Sequence, residues 1–197
     1  MPLKQLVIIY FLVYLLANAP IMAADMARGL AAAKSGNFDI AAQEWMPLAE
    51  QGDPSAQYNI AQLYRLGRGV PKNFTKASQW YEKAALQWHS AARHNLAVLY
   101  EKGHGVPLNY AKAFEWYEKA AMQNYGIAQF NLAVMYSIGQ GTKRNLTKAY
   151  IWYTIAADQD VDGAEDNVSQ IAQQMTAEQL KIAKKKAQDW INWRKKE

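Results

Sequence analysis

Apolar residues along the chain recur at spacings of three and four, which predicts amphipathic helices rather than strands. Two such stripes lie close together near the middle of the chain and form one unit. The first stripe contains Ala56, Ile60, Leu63 and Tyr64, and the second contains Ala77, Trp80, Tyr81, Ala84 and Ala85. Gly67 follows the first stripe where a left-handed residue closes a helix, and Asn73 precedes the second where an N-cap belongs. Each unit is therefore predicted to be a helix pair.

The helix pair occurs three times without gaps, at a period of 36 residues. The copies begin at Ala56, Ala92 and Ala128 and read AQYNIAQLYRLGRGVPKNFTKASQWYEKAALQ, ARHNLAVLYEKGHGVPLNYAKAFEWYEKAAMQ and AQFNLAVMYSIGQGTKRNLTKAYIWYTIAADQ. A degenerate unit precedes them from about Asp25, and a partial fifth unit follows from Ala164. Because one pair cannot bury its own stripe, the copies must stack, with Trp-Tyr pairs packing against paired alanines.

The segment from Thr176 onward departs from the repeat and predicts one longer amphipathic helix. Thr176 and Gln179 form a capping-box pattern at its start. Its apolar face contains Leu180, Ala183, Ala187, Trp190 and Ile191, with lysines opposite. This helix is predicted to close the stack.

The pattern AxYNIAxLYxxGxGVPxNxxKAxxWYxKAA resembles the Sel1-like repeat family, a relative of the tetratricopeptide repeat. The resemblance covers about Ala23 to Met175. It implies an all-α fold, a right-handed α-solenoid of stacked antiparallel helix pairs, here with a C-terminal capping helix. It also implies an adaptor or scaffold role, with a protein or peptide bound on the concave face. The third copy carries Thr142-Lys143-Arg144 in place of Val-Pro-x, so we expect its turn to be looser.

The first residues predict an export signal. Lys4 is followed by the apolar run LVIIYFLVYLLA and then by small residues up to the first acidic residue, which is typical of a signal peptide over residues 1–24. Cleavage is expected after Ala23 or Ala24. The alternative is an uncleaved inner-membrane anchor, since the run is nearly long enough to span a bilayer. Residues 25–175 then form the repeats, about four units plus a partial fifth, and residues 176–197 form the cap.

The absence of cysteine changes the expected chemistry and compartment. With no cysteine in 197 residues, disulfides, thiolate zinc sites and catalytic thiols are excluded. We expect a bacterial periplasmic or secreted protein held together by core packing alone. The three histidines match no catalytic or metal-binding motif, so we expect no catalytic residue, no metal, no cofactor and no enzyme activity. The alternative is an envelope hydrolase-like factor, or one that binds β-lactams or cell-wall material.

Side chains outside the core stripe of the first helices differ between the copies, and an irregular ligand needs such variation. By analogy with tetratricopeptide repeats, these side chains are predicted to line the concave groove and to contact an envelope or host protein or peptide. They are Tyr58, Gln62 and Arg65, then His94, Val98 and Glu101, then Phe130, Val134 and Ser137. Tyr58 and Phe130 are candidate aromatic anchors, and Arg65 is a candidate partner for a carboxylate.

The net charge of +5 is modest, and its densest cluster lies at the C-terminus. Lysines at positions 181, 184, 185, 186, 195 and 196, together with Arg194, form this cluster. It is interpreted as the solvated face of the last helix, with weak contact to an anionic membrane surface as the alternative. Export makes nucleic acid an unexpected partner.

Overall fold

The computed structural model describes residues 26–196, and every regular element in that range is a helix. The predicted signal peptide of residues 1–24 lies outside the described residues. The first helix, α1, covers residues 26–34 of this range. The others are α2 (Phe38–Glu50), α3 (Pro54–Leu66), α4 (Phe74–Leu86), α5 (Ser90–Lys102), α6 (Tyr110–Met122), α7 (Gly126–Ile138), α8 (Leu146–Ala157), α9 (Ala164–Ala172) and α10 (Ala177–Arg194). The predicted all-α fold of helix pairs is confirmed, since α3 packs with α4, α5 with α6 and α7 with α8.

The turn inside each pair is fixed by one glycine and one asparagine, as the sequence predicted. Gly67 closes α3 in the left-handed conformation, at a φ of 69°, and Asn73 accepts a hydrogen bond from the Lys76 amide at 2.9 Å. The looser turn expected for the third copy is wrong. The Asn145 amide donates to the Tyr136 carbonyl at 2.8 Å, matching the 2.8 Å from Asn73 to Tyr64. The turn keeps its shape because the capping asparagine and the glycine recur, whereas Val and Pro are dispensable.

The chain divides between Gln87 and Trp88 into two compact units, here called the N-terminal unit and the C-terminal unit. Alanines make up much of the buried core of each unit, and each of the three complete repeats adds one large tyrosine. Tyr81, Tyr117 and Tyr153 are 0%, 1% and 2% exposed, respectively. The expectation that the adjacent tryptophans share this core is wrong for the first two copies. Trp80 and Trp116 are half-buried, and lysine ammonium groups stand 4.0 and 4.2 Å from their ring centroids.

A glutamine that follows the second helix forms hydrogen bonds with the start of the first helix in each pair. Sequence patterns did not predict this role. In the N-terminal unit, Gln87 Nε2 donates to the Gly52 carbonyl and to Gln57 Oε1, both at 2.9 Å. In the C-terminal unit, Gln123 Nε2 donates to the Trp88 carbonyl at 2.6 Å, and Gln123 Oε1 accepts from Arg93 Nη1 at 2.8 Å. These bonds join the end of the second helix to the start of the first, so they fix the angle between the two helices.

The last helix packs as predicted. Thr176 and Gln179 form the reciprocal capping box at the start of α10, and α10 packs against α8. Ala183, Ala187 and Ile191 are buried. No helix of residues 26–196 is both long and apolar enough to cross a membrane.

Candidate functional site

The nine predicted contact residues lie on α3 in the N-terminal unit and on α5 and α7 in the C-terminal unit. They occupy three positions that recur in each repeat: Tyr58, His94 and Phe130; Gln62, Val98 and Val134; and Arg65, Glu101 and Ser137. All nine are half-buried, so each side chain is anchored in its own repeat and still reaches solvent. Val98, Phe130 and Val134 pack against the core of the C-terminal unit.

The first position holds a ring that packs on the buried tyrosine of the second helix. The centroid distances are 5.9 Å for Tyr58–Tyr81, 5.6 Å for His94–Tyr117 and 5.3 Å for Phe130–Tyr153. The pairs are tilted or edge-on, which are favourable geometries for aromatic rings. One constant tyrosine thus orients a ring that differs from repeat to repeat.

The hydroxyl of the same tyrosine positions the residue at the third position. In the N-terminal unit, the Tyr81 hydroxyl donates to Gln62 Oε1 at 2.8 Å. Arg65 Nε donates to that oxygen at 2.9 Å and to the Tyr81 hydroxyl at 3.2 Å, and Gln62 Nε2 donates to the Tyr58 hydroxyl at 2.7 Å. Only Nε of Arg65 takes part. Among the described residues, the two terminal guanidinium nitrogens have no hydrogen-bond or ion-pair partner, and this pair of donors matches a carboxylate.

The second repeat presents the opposite charge by the same means. The Tyr117 hydroxyl donates to Glu101 Oε2 at 2.8 Å. No lysine or arginine of residues 26–196 forms an ion pair with Glu101, so its charge is available to a cation. In the third repeat, Ser137 occupies the position and its hydroxyl donates to the Val134 carbonyl at 2.8 Å. The three copies therefore present a cation, an anion and a neutral hydroxyl.

The buried tyrosines remain protonated donors at physiological pH. Burial raises the pKa of Tyr81 above its ordinary value, and the Arg65 charge offsets a smaller part of that rise. Burial also raises the pKa of Tyr117, and the Glu101 carboxylate raises it further. For Tyr153, burial raises the pKa and a hydrogen bond with Ser137 lowers it by less. Each hydroxyl can therefore orient its partner over the whole physiological pH range.

His94 is held as a neutral ring in the second repeat. Its centroid lies 5.6 Å from that of Tyr117 and 5.5 Å from that of Tyr125, and its Nε2 is 3.1 Å from Asn131 Nδ2. Since Asn131 Nδ2 can only donate, Nε2 is assigned as the acceptor of the neutral tautomer. Burial lowers the pKa of His94, and a hydrogen bond with Asn95 opposes this lowering.

Sequence reasoning found the variable positions but missed what orients them. It treated Tyr81, Tyr117 and Tyr153 only as large packing residues. The signal was that every copy has tyrosine there and never phenylalanine. A hydroxyl retained at a buried position needs a hydrogen-bond partner.

Other polar side chains of residues 26–196 form helix caps and surface ion pairs. Within residues 26–196, no group of three or more His, Asp or Glu side chains is placed to hold a metal ion. His89 caps α5 by accepting the Ala92 amide at 3.2 Å. On α10, Lys185 pairs with Asp189, and Lys195, just after the helix, pairs with Asp158; Lys184 and Lys186 are exposed, as are the two paired lysines.

Comparisons with known proteins agree with the repeat pattern. The Sel1 repeat model matches residues 54–87, 90–125 and 126–161, more than half of the chain. A Sel1 repeat protein from Oxalobacter formigenes is 36% identical with a TM-score of 0.70, over 73% of this chain and 57% of that one. The c5321 protein, a protective antigen of uropathogenic Escherichia coli with an SLR fold, is 27% identical with a TM-score of 0.74. That match covers 79% of this chain and 34% of the antigen, so the chain spans less than two thirds of either structure. No curated protein matches the chain significantly.

The environment of His94 predicts a pH dependence of stability. Because its pKa is lower in the folded protein than in the unfolded chain, the unfolded chain binds the proton more readily. The contribution of His94 is therefore fully present above the unfolded pKa of about 6.5 and is lost as the pH falls below it. We expect His94→Phe, which copies Phe130, to reduce the loss of unfolding free energy between pH 7 and pH 5.

Urea unfolding at the two pH values measures this effect, and Phe130→His is the matched reciprocal variant. It should steepen the pH dependence because it places an imidazole against Tyr153. Identical pH dependences for the wild type and His94→Phe would show that His94 is not held as a neutral ring.

Proposed function

Since the chain belongs to the Sel1 repeat family, we propose that it is a non-enzymatic protein-interaction scaffold of the bacterial envelope. Repeats of this family generally serve as scaffolds for protein–protein interactions. We place the partner contacts on the first helix of each repeat, at the nine positions described above. The partner is a protein or peptide of the envelope or of a host. Within residues 26–196, no observation favours the alternative of a hydrolase-like, β-lactam-binding or cell-wall-binding factor.

One observation carries this proposal, the change of chemistry at positions that share one scaffold. The Tyr81 hydroxyl accepts a hydrogen bond from Arg65, and the Tyr117 hydroxyl donates one to Glu101, so equivalent tyrosines hold residues of opposite charge. A residue needed only for folding has no reason to reverse its charge between equivalent positions. Different side chains on a constant support are what a repeat surface needs to recognise an irregular partner.

The proposal predicts loss of partner capture when Arg65 is reversed in charge and Tyr58 is truncated. Arg65→Glu is tolerated structurally, because Glu101 already occupies the equivalent position and accepts the Tyr117 hydroxyl. We expect Arg65→Glu with Tyr58→Ala to abolish capture in a crosslinked pull-down from the native compartment, with unchanged helicity by circular dichroism.

Lys34→Glu is the matched control, since it makes the same charge change at an exposed residue of α1. It should capture the same partners as the wild type. If the double variant captures them in undiminished amounts, the binding surface lies elsewhere.

We also propose export to the periplasm or the medium, directed by the signal peptide of residues 1–24. The apolar run and the small residues before Asp25 support this. N-terminal sequencing of protein from the native compartment should find Ala24 or Asp25 first. An intact N-terminus in the membrane fraction would instead support the anchored alternative.

A further inference from the structure

An open cavity of about 580 Å³ lies in the N-terminal unit, against α2, α3 and α4. Its aromatic lining is Tyr64 of α3 and Trp80 of α4, with Met46 and Leu86 beside them. Tyr64 and Trp80 are half-buried, and Leu86 is 66% exposed. The cavity shares no residue with the nine predicted contact positions, so it is a separate surface.

In the C-terminal unit, the tyrosine equivalent to Tyr64 is Tyr136, and an aromatic ring covers it. There, Phe114 of α6 packs edge-on against Tyr136 of α7, with centroids 5.2 Å apart and an angle of 89° between the rings. Tyr136 is 4% exposed. The residue in the N-terminal unit that corresponds to Phe114 is Ala42, which has no ring to place over Tyr64.

The equivalent tryptophan is also covered by a ring in the C-terminal unit. Trp152 packs against Trp190 of α10 at 5.3 Å and is 9% exposed. Among the described residues 26–87 of the N-terminal unit, no aromatic ring packs on Trp80 in this way, and Trp80 lines the cavity instead. Tyr64 and Trp80 therefore correspond to residues that each pack against another aromatic side chain in the C-terminal unit.

The lysine that stands over each tyrosine leaves room for that second ring. Lys76 Nζ lies 5.2 Å from the centroid of Tyr64, and Lys148 Nζ lies 4.9 Å from that of Tyr136. Since Tyr136 accommodates both Lys148 and Phe114, the lysine over Tyr64 does not exclude an aromatic neighbour.

The charges around the cavity favour a neutral occupant. Its lining includes two lysines, Lys76 and Lys83, and two glutamates, Glu50 and Glu82, so its formal charge is zero. A charged ligand would gain from one pair and be repelled by the other, whereas a neutral ring is attracted to the aromatic and aliphatic lining.

We propose that this cavity binds the phenylalanine or tyrosine side chain of a partner polypeptide. The incoming ring occupies the place over Tyr64 that Phe114 occupies over Tyr136. Met46 and Leu86 contact its edges, and the lysine over Tyr64 remains in place. This site is independent of the proposed contacts at Arg65 and Tyr58, so loss of binding at one surface would leave binding at the other unchanged.

The test uses the capped peptide Ac-Ala-Phe-Ala-NH2 and the full protein labelled with ¹³C at its methionine methyl groups. Titration should shift the Met46 methyl signal saturably, with at least fivefold tighter binding than for Ac-Ala-Leu-Ala-NH2. Ala42→Phe supplies the missing ring from within and should abolish the saturable shift, while helicity is retained.

If Ala42→Phe does not fold, Leu86→Lys at an exposed lining position should weaken binding at least threefold. The proposal is overturned if Met46 does not respond, if the leucine peptide binds equally well, or if folded Ala42→Phe or Leu86→Lys still binds like the wild type.

Discussion

The three complete repeats depend on one buried tyrosine in the second helix of each. Its ring lies among alanines that allow the helices to approach closely, and Tyr81, Tyr117 and Tyr153 are almost completely buried. Burying such a ring contributes on the order of 2 kcal/mol. Its hydroxyl reaches the opposite helix, where a buried donor without a partner would cost about 1–3 kcal/mol. The same residue therefore stabilises the pair and fixes the side chain presented on the first helix.

This arrangement separates what must stay constant from what can vary. The tyrosine hydroxyl both donates and accepts, so it can orient an arginine, a glutamate or a serine without any change in backbone. The Tyr81 hydroxyl accepts from Arg65, whereas the Tyr117 hydroxyl donates to Glu101. The residue beside Tyr64 and Tyr136 also varies while the repeat is kept. Phe114 packs on Tyr136, whereas the equivalent residue in the N-terminal unit is Ala42.

Much of the fold was predictable from the sequence because its signals are local. Asn73 and Gly67 act within a few residues of their own helix, so spacing alone identified their roles. Gln87 acts across 35 residues on the Gly52 carbonyl, and no local pattern reveals such a partner. The candidate positions on the first helices were found from variation between copies. The tyrosine contacts that orient these positions were not found, because predicting them requires knowing which groups of the second helix contact the first.

The most direct test is a double-mutant cycle that measures affinity for the partner captured by the wild type. Tyr81→Phe removes only the hydroxyl, and Arg65→Gln removes the charge. If the tyrosine acts by positioning Arg65, Tyr81→Phe weakens binding several-fold in the wild type and has almost no further effect beside Arg65→Gln. Strictly additive effects, or an unchanged affinity of Tyr81→Phe, would contradict the claim that the buried hydroxyl builds the binding surface.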